Sequence, residues 1–509
     1  MIEKFFVIAL TLAMTFLAVV GFSIKRAVSR GSKPANTFIV AFAVVIVLLN
    51  LIVPDENYRK MHMVATFILY LCAYPLWRYL RFRERGIPFV PLLLLVYGIY
   101  FSVPIFFPFD PFISFRYVSE AARLQSLYAV LAGLFSLLIA FYKLPKRVWS
   151  SWTPQLRPVD WSAPLAASVA LGLSVLGIIA NIASTFAVVP ETFRAGFTFA
   201  SQFSLLSISI LLYLQLRGQL PILSQWALWV FIIPTQLMVD VSLGFMYPLI
   251  RDGFMMLMVY LFVKKSIPWL KLIPALMLVT AFLLSKSEFR KIVWTGGSSG
   301  PLESASVYAR IIQDTVLVSN SETLTKSLGQ LTSRVDNGTL LAHVIEQTPR
   351  NVPYWEGESY LGILWRFIPR FIWQDKPIEQ LGQTFGHRYN ILGTADTNTS
   401  WNMPQIVEMF ANFGWAGVIV GMGLLGCIYN FLGHFLEHNQ ADEWGKLSAI
   451  VIYTSLLQVD GNFSLVFGNV IYWVVLFHIM GRFIFSANAR KTGARLGRFT
   501  SYTPSSKTI

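Results

Sequence analysis

The residues able to hold negative charge or move a proton concentrate in one part of the chain. From residue 354 it reads Tyr354-Trp355-Glu356-Gly357-Glu358-Ser359-Tyr360, followed by an aromatic and apolar run to Pro377 whose cations are Arg366, Arg370 and Lys376. A guanidinium is a planar fork that matches phosphate oxygens, so these cations fit a phosphate held at a membrane surface. The plainer alternative is that they snorkel to lipid headgroups. Arg251, in Arg251-Asp252-Gly253, opens an apolar stretch and is a further phosphate candidate, with pairing to Asp252 as its alternative. Arg334 follows a helical apolar stripe and neighbours Asp336, so an ion pair at a helix end competes with ligand binding. Arg388 joins the candidates, whereas Arg290 and Arg310 read rather as surface charges. For proton removal, Glu408 lies about one turn into an apolar span, where an unpaired carboxylate is expensive and usually functional. Its alternative is structural, as partner to a loop arginine. His387 offers an imidazole for the same task, or is simply a solvated neighbour of Arg388. Asp240, inside an apolar span, and Asp460, in a short turn, complete the acids. No metal-ligand spacing appears, and the only cysteines, Cys72 and Cys427, fall in apolar spans where packing explains them.

The elements that must position these groups follow from composition. Of 509 residues, 55% are apolar and only 13% charged, against roughly a quarter charged in soluble chains. Mean hydropathy is +0.58, which excludes a soluble enzyme. Apolar stretches at about 5–24, 37–53, 64–80, 89–107, 127–143, 163–189, 197–216, 222–243, 247–263, 267–285, 405–432, 447–459 and 464–485 predict thirteen transmembrane helices. Met1-Ile2-Glu3-Lys4 lacks a long basic lead, so the first stretch reads as a retained span. Alternate loops and the tail hold 23 basic residues on one side against seven in the short loops of the other. The positive-inside rule then places the N-terminus outside, the C-terminus inside and 286–402 outside. The net charge of +15 is thereby assigned to orientation rather than to nucleic acid. The expected organisation is transmembrane helices 1–10 over 1–285, a large helical loop over 286–402, helices 11–13 over 403–486 and a basic tail over 487–509. No internal repeat is visible.

The long loop reads as folded. After Gly296-Gly297-Ser298-Ser299-Gly300, the residues Val307, Tyr308, Ile311, Ile312 and Val316 repeat at helical spacing, as do Leu324, Leu328, Leu331 and Val335. Asn337-Gly338 is a turn, and a short helix over 339–347 closes at Thr348-Pro349.

The segment from Glu356-Gly357-Glu358-Ser359-Tyr360 to Lys376-Pro377, with Gln405-Ile406-Val407-Glu408-Met409-Phe410-Ala411-Asn412-Phe413-Gly414-Trp415-Ala416-Gly417, resembles bacterial oligosaccharide repeat-unit polymerases, the O-antigen polymerases and their exopolysaccharide relatives. The match covers roughly 355–420; elsewhere only topology agrees. An Arg-x10-Gly spacing described for some of these polymerases is absent, since Ile345, Leu361 and Leu381 follow Arg334, Arg350 and Arg370 at that distance. Trp401-Asn402 stands where related O-antigen ligases carry a histidine, which weighs against a ligase.

The resemblance implies an all-α polytopic membrane protein of glycosyltransferase C type in the bacterial inner membrane. It would transfer a growing glycan from undecaprenyl pyrophosphate to an incoming lipid-linked repeat unit. The expected partners are those lipid-linked donor and acceptor glycans, membrane lipids and a chain-length regulator, with no cofactor and no metal. On that reading Arg251, Arg334, Arg366, Arg370 and Lys376 bind pyrophosphate, Glu408 or His387 is the base, and Asp240, Asp336 and Trp401 bind the acceptor. Trp355, Tyr360 and Trp373 would stack on sugar rings, or form an interfacial belt. Two alternatives stay open. One is a polysaccharide exporter or lipid-oligosaccharide flippase, disfavoured by few deep charges and one asymmetric loop. The other is a transferase using a polyprenyl-phosphate sugar, for which Asp55-Glu56 in the first outer loop is the sole support.

Overall fold

The computed structural model describes residues 34–52, 59–107, 118–151, 159, 161–186, 191–242, 246–296, 301–313, 335–366, 368, 373, 375–377, 380–397, 399–438, 442–468 and 470–499. The first predicted span, the stripe at 324–334, Arg334 and Arg370 lie outside the described residues.

Among the described residues every regular element is helical. In order these are α1 (Pro34–Ile52), α2 (Arg59–Phe82), α3 (Phe89–Phe101), α4 (Glu120–Lys143), α5 (Ala163–Phe186), α6 (Glu191–Leu216) and α7 (Ile222–Ser242). Then come α8 (Met246–Lys264), α9 (Trp269–Gly296), α10 (Pro301–Ile312), α11 (Asn337–Gln347), α12 (Gly362–Arg366) and α13 (Leu381–Arg388). The last are α14 (Gln405–Gly433), α15 (Glu443–Leu456), α16 (Phe463–Phe467) and α17 (Val470–Phe499). Among the described residues, seven helices are long and apolar enough to cross a membrane and three shorter apolar helices accompany them, so the chain is an all-α membrane protein. Side chains such as Leu176, Ile179, Val420, Leu424 and Phe483 are exposed on these helices, as a lipid-facing surface requires.

Two of the helix starts show side-chain caps of the expected kind. The Ser119 hydroxyl accepts the Ala122 amide at 3.2 Å at the start of α4, whose first turn carries Glu120 and whose last carries Lys143. Asp442 caps α15 by accepting the Gly445 amide at 2.6 Å, and its second oxygen accepts the Val159 amide at 2.9 Å.

Two helix pairs form the frame. α5 and α6 pack as a tight hairpin, where a Cβ on Gly177 would overlap the Ser204 backbone. Apolar attraction between helices is weak in lipid, so small residues that let backbones touch supply the contact. α4 and α14 run together in the same way, and the Ser136 hydroxyl donates to the Ile419 carbonyl at 2.7 Å across their seam. α11 packs on α4 and α14 and buries Leu340, Leu341 and Val344 in the core that also holds Ile406, Val407 and Phe410.

Three boundaries differ from the sequence expectation. α9 continues through 285 to Gly296, so the predicted edge of the long loop falls inside a helix. Lys291 and Glu288, 2.7 Å apart on adjacent turns, carry it beyond its apolar part. The stretch 464–485 is divided between α16 and α17, and α17 runs on to Phe499 into the predicted tail.

Candidate functional site

α14 starts after Pro404 and presents Gln405, Glu408 and Asn412 along one face, three and four residues apart. All three side chains are completely buried. The Glu408 carboxylate is the hub. Its Oε1 accepts the Ser359 hydroxyl at 2.7 Å, and its Oε2 accepts the Phe463 amide at 2.6 Å, at the start of α16. Asn412 Nδ2 donates to Ser359 Oγ and to the Glu408 carbonyl, both at 2.8 Å. Asn412 Oδ1 accepts the Gly357 amide at 2.7 Å. One turn earlier, Gln405 Oε1 accepts the Tyr97 hydroxyl at 2.8 Å. Burial and the adjacent carboxylate push the Tyr360 phenol up, so Tyr360 keeps its proton.

A break in α14 makes this junction. Phe413 (φ −141°, ψ 16°) and Gly414 (φ 61°, ψ −143°) leave helical geometry, which interrupts the helical hydrogen-bond ladder. The Ala411 carbonyl accepts the Trp355 amide at 3.1 Å instead, tying the loop to the helix through main chain. Gly414 holds a conformation reserved for glycine, and a Cβ there would sit 2.8 Å from the Tyr354 hydroxyl.

The loop cations surround this hub. Arg388, in the last turn of α13, bonds Glu358 at 3.1 Å and lies over the Trp355 ring at 4.4 Å. His387 precedes it and is half-buried. Lys376 donates to the carbonyls of Arg366 and Ile368, at 3.1 and 2.9 Å. The Arg366 side chain lies across Gly468, just past α16, where a Cβ would overlap it. The Trp401 amide donates to the Gly382 carbonyl at 3.1 Å, and its half-buried ring packs on the core.

A second polar cluster lies among α5, α7 and α8. Arg251 contacts Asp252 through both Nε and Nη2 at 3.0 Å, so the pairing alternative read from the sequence is present. Asp240 accepts Gln236 Nε2 at 2.9 and 3.1 Å and Asn181 Nδ2 at 3.3 Å. Tyr247 stands within electrostatic range of Arg251, Asp252 and Asp460. Asp460 lies in the turn before α16, and burial pushes its carboxyl up. The two clusters therefore border one end of the bundle, joined through that turn.

Asp336 serves α11. Its two oxygens accept the Thr339 amide at 2.9 Å and the Thr339 hydroxyl at 2.6 Å. Burial pushes its carboxyl up against the opposing pull of Thr339 and of Arg123 on α4. Replacing Asp336 with alanine is expected to destabilise the protein by about 1 kcal/mol, the usual worth of such a cap. Thermal unfolding in detergent checks this; an unchanged midpoint would remove the cap from the stabilising contacts.

Ser359, Asn412 and Gln405 escaped the sequence reading. Asn412 had a usable signal, four residues after Glu408 on the same face. Ser359 had none, because its partner lies 49 residues away. Among the described residues no group of three or more His, Cys, Asp and Glu side chains could hold a metal ion.

No curated protein and no solved structure matches the chain. Residues 166–491, more than half of its length, match a family model described as a domain of unknown function, DUF8712. This stretch holds α5 to α9, the loop helices and the Glu408 hub, and by this match the chain belongs to the DUF8712 family.

Proposed function

We propose that this protein is a polysaccharide polymerase. It transfers a growing glycan from undecaprenyl pyrophosphate to an incoming lipid-linked repeat unit at the outer face of a bacterial inner membrane. Thirteen spans, a glycosyltransferase C-type fold, an outside N-terminus and an inside C-terminus belong to the same reading. The observation that supports it best is the meeting of 354–360 with 405–417. Residues 356–360 open the first segment of the polymerase resemblance, 356–377, and 405–417 are the second; they join in one buried hydrogen-bond network.

In this reaction the acceptor hydroxyl oxygen bonds to the donor's anomeric carbon as the bond from that carbon to pyrophosphate breaks. The electron pair departs with the pyrophosphate, and the acceptor's proton passes to a base. The leaving group is already good, so fixed positive charge and orientation are the protein's main contributions. Arg366 and Lys376, with Arg251, Arg334 and Arg370, supply the charge. Glu408 has no exposed surface and both its oxygens are engaged, so it acts as a positioning residue through Ser359 and α16. His387, half-buried at the end of α13, is left to take the proton. Acceptor contacts fall to Asp240 and Trp401.

Arg251→Lys is expected to slow chain growth roughly tenfold, because a point charge replaces the fork that holds Asp252 and phosphate together. Wild-type growth by this variant would remove Arg251 from pyrophosphate binding. The deciding experiment reconstitutes the purified chain in liposomes with lipid-linked repeat units and no nucleotide sugar. Lengthening of the glycan is the expected result; translocation without lengthening overturns the polymerase in favour of an exporter. The cluster of Asp240, Arg251 and Asp252 within apolar helices is the one feature that favours the exporter, since buried intramembrane charges often mark a transport path.

A further inference from the structure

At the other end of α14, some 25 residues and so about 37 Å from Glu408, a cavity of about 420 Å³ opens between α2, α3, α4 and α14. Its wall includes Arg78, Arg85, Tyr142, Phe89, Tyr429 and Glu437. We propose that this cavity binds the phosphate of an anionic phospholipid, with the arginines on the headgroup and the aromatic wall against the start of the acyl chains.

The carboxylates at the cavity are already engaged by protein donors. Glu84 bonds Arg78 Nε at 2.9 Å. Glu437 accepts the Ile87 amide at 2.9 Å and the Tyr453 hydroxyl at 3.1 Å. The bridge to Glu84 is made through the Nε of Arg78, and the guanidinium lines the cavity. The Arg78 guanidinium is held flat by Tyr142, 4.3 Å from the ring centroid, so its geometry is set before any ligand arrives. Arg85 stands exposed at the rim. The Tyr429 ring closes the inner wall, edge-on to Phe89 with ring centroids 5.1 Å apart.

Charge balance points the same way. Arg78 and Arg85 offset Glu84 and Glu437. Lys265 stands just behind the wall, donating to the Tyr79 hydroxyl and, at 3.3 Å, to the Gly86 carbonyl. The net of one positive charge suits a monoanion such as a phosphodiester. Location selects a lipid over a soluble phosphate. The cavity sits where apolar α2 and α4 end, and the ends of spanning helices are where basic pockets between helices bind lipid headgroups.

Native mass spectrometry of the full chain in detergent, titrated with dioleoyl-phosphatidylglycerol, dioleoyl-phosphatidylcholine or inorganic phosphate, tests this. The expected result is one retained phosphatidylglycerol, bound at least tenfold more tightly than phosphatidylcholine and not displaced by millimolar phosphate. Arg78→Ala should lower that affinity at least tenfold. Because Arg78 also braces Tyr142, Arg85→Gln at the exposed rim serves as a variant that disturbs the fold little, and it is expected to weaken binding several-fold. Equal retention of the two lipids, or undiminished affinity in both variants, overturns the proposal. Displacement by inorganic phosphate alone overturns the lipid as its source.

Discussion

Glu408→Ala is expected to destabilise the protein by about 3–5 kcal/mol, the sum of two lost hydrogen bonds to a charged acceptor. It also abolishes polymer if the proposed function holds. The loss leaves the Ser359 hydroxyl and the Phe463 amide without their acceptor in a site that excludes water. Hydrogen bonds to a charged acceptor contribute about 1.5–3 kcal/mol each, and an unsatisfied buried donor adds its own desolvation cost. Glu408→Gln keeps the shape but turns an amide NH2 toward one of two donors, so its loss should be intermediate. Ser359→Ala removes the bond to Glu408 and the one accepted from Asn412, and should cost less than Glu408→Ala. The double variant Ser359→Ala with Glu408→Ala should cost less than the sum, because the two changes delete the same bond. Thermal unfolding in detergent reads all four proteins. A Glu408→Ala midpoint equal to wild type would reduce this network to incidental contact.

The second large effect is expected at Gly414. Its φ of 61° and ψ of −143° exclude side-chain-bearing residues at a cost of about 1–3 kcal/mol. An added Cβ also meets the Tyr354 hydroxyl at 2.8 Å. Gly414→Ala should therefore lose about 2–4 kcal/mol, combining the strain with an overpacking term. Tyr354→Phe placed on that background relieves the contact but not the dihedral strain, so it should restore only part of the loss. Full restoration would locate the whole cost in the clash, and no loss from Gly414→Ala would show that α14 runs without its break.

The sequence made the apolar helices legible because burial in lipid depends on composition, which a window along the chain reads directly. It also placed the helix before Thr348-Pro349, since periodicity and a stop signal coincide there, and α11 spans Asn337–Gln347. The apolar stretch at 267–285 marks only part of α9, whose outer turns are helical but charged; hydropathy reports apolarity, not helicity. The Glu408 site was half legible. An acid inside an apolar span announces itself by its cost, and the expected alternative was an arginine partner. The partners found include a serine and a backbone amide, brought 49 and 55 residues across the chain. Such pairings leave no periodic trace. The break at Phe413 was hidden for a similar reason, since one glycine in an apolar run is unremarkable until its dihedrals are known.

The arrangement on α14 also sets the lengths this chain can tolerate. Glu408 and Asn412 meet Ser359 together only because they stand one turn apart, and Ala411 meets Trp355 only because the break follows two residues later. One residue inserted between 408 and 414 would turn everything beyond it by about 100° around the helix axis. Substitutions in this segment can be graded by size and polarity, but an insertion or deletion cannot. Variation in length among relatives should therefore stop at both edges of this segment, so that counting residues from the acid to the glycine locates it even where the surrounding letters have changed.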